Sequence, residues 1–549
     1  MIIEKKLRSA ERFRSQGNVP RFVSVLRDLI KNHSAQLSYQ NLTSAAYFLS
    51  SRNLEPELAL ECVQLAMKLD FRRIDAPEIM FTIFFTNGKP SDLENCNHVL
   101  QLLVEHCPAD KPELLRKYKR WQLYVFNKQA HSSALIEFMK RNPGIIDKDE
   151  DDVGQTILAI VNSYLEFNMV TEARLLLTQY IPNPPNDDPN QLNAHAKVLQ
   201  SEGEIDLALE MYSKVEQLAI EGPAVEATWN KSLAELAAGR LDDGWADYEI
   251  RWKWDSFPSA KPKFDIPSWR GESLEGKSIL MWGEQGIGDE ILFLTQLPSV
   301  LKFQPKNIGI AVSKSKLHPI LKHWLPGHDL FLQEDLLGDV DYVNSHFDFY
   351  LPLGSIPFVA GGSRVIGNTN VLGHGGSIKR LREKILADFP GKRRIVGLSW
   401  RSGLLLHRRV GHYISVDGIL DAIKDAPDDV LFLVLQYGLN SVERAKLERM
   451  TEIIFIPEED FYEDLLAQSV YIRCCDLVVT SSSVCFALAG ITEIPTVTWG
   501  PKRHWPLQGT ESGYPWFPRS VHYIRCDVAW DLGLLVQQIK KLMKKFYSF

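Results

Sequence analysis

At 549 residues the chain is too long for one hydrophobic core, and roughly three or four folded units are expected. With 45% hydrophobic and 24% charged residues it has the composition of a globular protein, and a net charge of −7 argues against a dominant nucleic-acid surface. No run of about 18 apolar residues occurs, so no membrane span is expected.

The first eight residues, Met1 to Arg8, are charged and lack the apolar stretch of a secretory signal. The seven cysteines are scattered, and none forms a Cys-x-x-Cys pair. That usage reads as reduced thiols in a cytoplasmic protein, with no metal site expected.

Residues 1 to about 255 read as helical throughout. Apolar residues recur at helical spacing in Phe22–Ile30, Leu58–Met67 and Ala134–Met139. The last part repeats. A turn residue (Asn168, Gly203, Gly239) stands five positions before a small residue (Ala173, Ala208, Gly244), at spacings of 35 and 36 residues. That is close to the tetratricopeptide period of about 34. The small residue lets two helices cross closely. Four positions later Tyr212 and Tyr248 can fill the next interface, with Leu177 in the first unit. Such hairpins stack into a solenoid whose groove suits a peptide or protein partner. Residues 182–190 form a proline-rich break between repeat groups.

The texture changes near 256. Pro258, Pro262 and Pro267 make the chain extended. Ser278–Trp282 then reads as a buried strand, followed by a glycine-rich turn and a helix opened by Asp289 and Glu290. Gly283, Gly286 and Gly288 are expected to supply positive φ and close backbone approach, and the helix start suits an anion. Further strands are expected at 308–312 and 349–353. A glycine-rich linker (361–376) and a short basic helix (377–386) lead to strands at 395–400, 430–436, 453–456, 477–480 and 496–499. Residues 530–546 form an amphipathic helix that could pack back across the junction. Apolar strands alternating with helices imply parallel sheets, here a pair of Rossmann-like domains facing across a cleft. The expected domains are 1–255 (helical repeats), 256–375 and 376–549.

In open parallel sheets, ligands bind beyond the carboxyl ends of the strands. The residues placed there are Glu284, Gln285, Gly286, Gly288 and Asp289; Arg401, Ser402, Gly403, Arg408, Arg409, His412 and Tyr413; Gln436 and Tyr437; Ser481, Ser482 and Ser483; and Lys502, Arg503 and His504. Arg401, Arg408 and Arg409 suit a diphosphate through bidentate pairing. The serines at a helix start offer hydroxyl and backbone donors to the same anion. The histidines read as structural. Asp289 is the best candidate for a general base toward an acceptor hydroxyl, with Glu284 in reserve; a helix-dipole role for Asp289 weighs equally.

Gly-Trp-Ala-Asp-Tyr-Glu-Ile-Arg-Trp (244–252), Trp-Gly-Glu-Gln-Gly-Ile-Gly-Asp (282–289), Gly-Leu-Ser-Trp-Arg-Ser-Gly (397–403), Cys-Asp-Leu-Val-Val-Thr-Ser-Ser-Ser (475–483) and Tyr-Pro-Trp-Phe-Pro (514–518) occur in that order. Together they resemble bacterial tetratricopeptide-repeat glycosyltransferases with a heptosyltransferase-like catalytic part. The resemblance spans about 190 to 530. It implies a GT-B pair of Rossmann-like domains and a nucleotide-sugar donor, used as co-substrate without metal or other cofactor and held mainly by the C-terminal domain. It also implies a catalytic aspartate at Asp289. The implied acceptor is a protein, such as flagellin, held by the repeats. A lipopolysaccharide or surface-glycan transferase, and a non-catalytic repeat scaffold with a nucleotide-binding remnant, stay open. The family commonly carries Asp-Thr, then a His, after the fourth of these motifs' strand. Here Ser482, Ser483 and Ala487 stand instead, and the missing carboxylate leaves donor choice and activity open. Sugar, base and stereochemical outcome are not legible.

Overall fold

The computed structural model describes residues 2–547 apart from 53, 130–131, 143–144, 147–152, 168, 184–186, 220, 260, 362–374, 403–412 and 527–531. The chain forms two compact units, Met1–Tyr164 and Leu165–Phe549.

The first unit is helical among its described residues. Consecutive helices pack on one another, as Tyr39–Ser50 on Pro56–Leu69 and Asp75–Asn87 on Pro90–Glu105. Asn18 caps the helix Val19–His33 and Ser38 caps Tyr39–Ser50, satisfying N–H groups that have no partner within the helix. Their apolar stripes form one core from Ala10 to Ile83 and a second around Phe81, Cys96, Leu103 and Tyr118.

The second unit opens with the helices Val170–Tyr180, Pro189–Glu202, Ile205–Leu218, Pro223–Ala238 and Leu241–Tyr248. The expected turns are seen in the second and third repeat units; Asn168, the turn residue of the first, lies outside the described residues. Gly203 and Gly239 end their helices at φ +87° and +82°, where a side chain would be strained. Ala173, Ala208 and Gly244 are buried. A Cβ on Gly244 would stand 2.8 Å from Leu236 Cγ, so this contact leaves no room for one. Tyr212 and Tyr248 are buried behind them.

Two parallel sheets follow. The first contains β1 (Ser278–Trp282), β2 (Asn307–Val312), β3 (Asp329–Leu332) and β4 (Phe349–Pro352), in the order β3-β2-β1-β4. The second contains β5 (Arg394–Ser399), β6 (Val430–Val434), β7 (Ile454–Phe455), β8 (Leu477–Thr480), β9 (Thr496–Pro501) and β10 (Val521–Cys526), in the order β10-β9-β8-β5-β6-β7. Every recorded strand pairing is parallel. The helical hairpins are thus followed by two parallel α/β sheets, each with Rossmann-like strand order.

β3 and β10 were not expected from sequence. Both are edge strands, and their sequences (Asp-Leu-Phe-Leu and Val-His-Tyr-Ile-Arg-Cys) lack the continuous apolar run of a central strand. The C-terminal helix (Leu532–Tyr547) also differs from expectation. Leu535, Val536, Ile539 and Met543 pack with Ile414, Ile419 and Ile423 in the second sheet's own core. The helix lies on Val416–Ile423 and β10 because its apolar stripe is complementary to that layer. The glycine-rich linker falls almost wholly outside the described residues.

A separate core runs without a break from Trp229, Trp245 and Tyr248 through Phe293 to Trp516 and Tyr523. The last repeat hairpin is thus packed into the α/β part. Gly239 and Gly509 meet backbone to backbone, where a Cβ on Gly509 would stand 2.6 Å from Gly239 Cα.

Candidate active site

The strand orders place two crevices. In the first sheet, connections run outward to either side of β1, so the crevice lies between β1 and β4. In the second it lies between β5 and β8. The turn 283–289 follows β1, and Ser481–Ser483 follow β8. The structure brings these two stretches together. A Cβ on Gly288 would stand 4.0 Å from Ser483 O and from Val484 N. The helix Ile287–Leu294 packs on Val484–Ile491, N-terminus beside N-terminus. Both ends carry partial positive charge and backbone N–H groups that favour an anion.

Asp289 sits in the first turn of its helix and is half-buried. Its Oδ2 accepts from Gly286 N at 3.2 Å, and its own N–H donates to Gly286 O at 2.9 Å. Burial holds the phenols of Tyr248 and Tyr514 above their usual range, and the nearby Asp289 charge adds to this at both. The Asp289 charge is thus felt at both Tyr248 of the last repeat helix and Tyr514 of the second α/β domain.

The turn is built differently from expectation. Its left-handed residue is Gln285, at φ +63°, and not a glycine. Gly286 is extended at φ −117°, a conformation open to any residue. Gly283 serves close approach, since a Cβ there would stand 2.3 Å from Glu290 Oε1 and 2.9 Å from Ala311 O. Gln285 is held on both sides. Its N–H donates to Ser259 Oγ at 2.7 Å, and its Nε2 donates to the Tyr248 hydroxyl at 2.5 Å.

Glu284 does not face a cleft. It is enclosed with Arg251, whose Nε and Nη2 donate to Oε1 and Oε2, both at 2.9 Å. Burial works against the Arg251 charge, but Glu284 and Glu249 outweigh it and hold the guanidinium above its ordinary range. Glu284 is therefore not a reserve base. Glu290 is equally enclosed. Burial pushes its carboxyl up to about 7, opposed by the Ser313 N–H that donates to Oε1 at 2.8 Å.

In the second domain, Arg401 and Gln436 face inward. Arg401 Nε donates to Glu443 Oε1 at 2.8 Å, Nη2 donates to Glu443 Oε2, and Nη2 also reaches Gly438 O at 2.7 Å. Burial raises the Glu443 carboxyl, but hydrogen bonds from Arg401, Asn440 and Trp400 outweigh it and keep it below the usual range. Gln436 Oε1 accepts from Trp400 N and Arg401 N, both at 3.0 Å. Arg401, expected to contact a phosphate, is paired with Glu443 in this structure, and Gln436 orders the turn after β5. Tyr437 is buried, and Tyr413 is half-buried. Arg503 leans on the repeat turn, its Cγ 3.7 Å from where a Gly203 Cβ would stand. Gly403, Arg408, Arg409 and His412 lie outside the described residues.

Ser481 is 1% exposed, and its Oγ has no hydrogen-bond partner. Its N–H donates to Ser399 O at 2.9 Å, tying it to β5. Ser483 is the N-cap of its helix, yet its Oγ makes no cap bond and is also unpartnered. Ser482 is exposed. An enclosed hydroxyl without a partner is costly, and a ligand oxygen is one way to satisfy it.

Tyr248, Arg251, Ser259, Ser355 and Tyr514 were missed as site residues. Three of them lie in the quoted 244–252 and 514–518 motifs, so the signal was present. Their position against the 283–289 turn was not.

No family model matches the chain. It is 27% identical over 314 residues to Protein FlbA of Caulobacter vibrioides, covering 54% of this chain and 51% of that protein. The chain thus spans about half the length of that curated relative. Among solved structures it resembles the glycosyl transferase family 9 protein from Veillonella parvula, with TM-score 0.36, 10% identity, and coverage of 50% of this chain and 97% of that one. It resembles E. coli ADP-heptose lps heptosyltransferase II with TM-score 0.34, 12% identity, and coverage of 49% and 99%. The O-GlcNAc transferase of Thermobaculum terrenum gives TM-score 0.28, 12% identity, and coverage of 78% and 93%. At these scores the likenesses carry no functional argument. Among the described residues no helix is long and apolar enough to cross a membrane.

Proposed function

We propose that the chain is a glycosyltransferase that moves a sugar from a nucleotide-sugar donor to an acceptor hydroxyl. One observation carries the reading. Two helix N-termini, one bearing Asp289 and the other the unpartnered hydroxyls of Ser481 and Ser483, meet at the switch points of two parallel sheets. In this reading the diphosphate rests on the Ser481–Ser483 helix start, bound by hydroxyls and backbone N–H groups in place of Arg401. Asp289 accepts the proton of the acceptor hydroxyl as its oxygen attacks the anomeric carbon and the nucleoside diphosphate departs. The acceptor is a protein, flagellin being one example, lying on the helical repeats.

The inward commitment of Arg401 and Gln436 favours a second reading, a repeat scaffold that binds a nucleotide without turnover. Incubating the full chain with UDP-, GDP-, ADP-, TDP- and CMP-sugars separates the two. Turnover of one donor is expected, falling about 10²- to 10⁴-fold in Asp289→Asn with donor affinity retained. Binding without turnover of any donor supports the scaffold. Label recovered from a cell extract in protein supports the acceptor assignment, and label in a lipid-linked glycan overturns it.

A further inference from the structure

We infer that Tyr248, at the end of the last repeat helix, is a positioning residue that sets the Asp289 turn through Gln285 and so ties the repeat array to the site. The inference rests on the glycosyltransferase reading above for its catalytic consequence, and on geometry for the coupling itself.

The path is short. The Tyr248 hydroxyl accepts from Gln285 Nε2 at 2.5 Å. Gln285 is the left-handed residue of the turn, at φ +63°, and its side chain is anchored by that bond. Its neighbour Gly286 is bonded to Asp289 in both directions, N–H to Oδ2 at 3.2 Å and O from the Asp289 N–H at 2.9 Å. A change at Tyr248 therefore reaches the Asp289 carboxylate through one side chain and one peptide.

The same helix end grips the other side of the turn. Three residues beyond Tyr248, Arg251 holds Glu284, and its Nη2 also donates to Ser355 Oγ at 2.8 Å in the turn after β4. Ser355 Oγ in turn donates to Glu249 Oε1 at 2.7 Å. Residues 248–251 thus clamp 284 and 285, immediately before the base-bearing helix. The Tyr248 ring meanwhile packs on Trp229 (centroids 5.0 Å apart) and on Phe293 (6.5 Å), which lies in the helix of Asp289. A residue needed only for packing has no use for a hydroxyl at that point. Buried tyrosine oxygens are placed where they find a partner, and here the partner is the strained residue of the turn. Movement of the last repeat on taking an acceptor would accordingly be felt at Asp289.

Tyr248→Phe keeps the ring and removes only the acceptor oxygen. With full-length protein, kcat is expected to fall about 10- to 100-fold, as small misplacements of a reacting group do, with the donor KM unchanged. Gln285→Gly removes the amide while leaving a residue at ease with positive φ; it should give the same loss, and the double variant no further loss. Hydrogen exchange on the ligand-free chain reads the coupling without any substrate. The amides of Gly286, Asp289 and Glu290 should exchange about ten-fold faster in Tyr248→Phe. A kcat within two-fold of the parent, additive losses, or unchanged exchange each overturns the inference. If the parent turns over no donor while exchange responds, the coupling stands and the glycosyltransferase reading fails.

Discussion

Arg251 and Glu284 form an ion pair shut away from solvent, 0% and 1% exposed, with two parallel N–H···O bonds of 2.9 Å. It joins the end of the helical repeats to the end of β1. Burial raises the Glu284 carboxyl and the Arg251 charge opposes it, while Glu284 and Glu249 hold the guanidinium charged; Glu249 and Ser355 accept from its remaining N–H groups. Removing one partner strands the other, whereas replacing both with apolar residues relieves the desolvation of both.

Arg251→Met is therefore expected to cost about 3–5 kcal/mol of unfolding free energy. Arg251→Met combined with Glu284→Leu should recover part of that loss. Urea denaturation of the single and double variants checks this. A single-variant loss below about 1 kcal/mol, the range of an exposed pair, would show that solvent reaches the site.

Ser481 gives a prediction of opposite sign for stability and for binding. Its unpartnered hydroxyl is a burden on the ligand-free chain, since an unsatisfied buried group costs about 1–3 kcal/mol. Ser481→Ala should leave the unliganded melting temperature unchanged or raise it. The same variant should weaken nucleotide-sugar binding about ten-fold, the worth of one good hydrogen bond. Melting curves with and without donor measure both effects. Destabilisation of the free chain together with intact binding would place the hydroxyl in a purely structural role.

Glu290 predicts a pH dependence. Its folded pKa of about 7 lies above the ordinary 4.5. The folded state thus holds its proton more tightly than the unfolded chain does. The stability this group contributes is full below about pH 4.5 and is lost as pH rises from there to about 7. Glu290→Gln, which mimics the protonated form, should flatten that slope. Above pH 7 it should be more stable than the parent by at most about 3 kcal/mol. Urea midpoints at pH 5 and pH 8 test this, and an equal decline in parent and variant would assign the slope to other groups.

The sequence by itself determined the periodic features. Helical spacing marked the repeats, and the turn glycines with Ala173, Ala208 and Gly244 marked where hairpins cross. Among the described residues, apolar runs marked eight of the ten strands, because a parallel strand buried on both faces shows it in its composition. β3 and β10, two of the four edge strands, escaped because an edge needs no such run; the edges β4 and β7 carry one all the same. The stretches 283–289 and 481–483 were also placed correctly beyond strand ends, since that placement follows from strand–turn–helix order alone. Only the tertiary structure decided which partner each polar side chain takes. Arg401 looked available for a phosphate, yet Glu443, 42 residues away, claims it. Glu284 looked like a reserve base, yet Arg251, 33 residues away, neutralises it. The glycines looked like the source of positive φ, yet Gln285 takes it, held by Tyr248 across 37 residues. Local pattern records which face of an element is buried. It does not record which charge or hydroxyl waits on the element that covers it, and in a low-dielectric interior that neighbour decides what the residue can do.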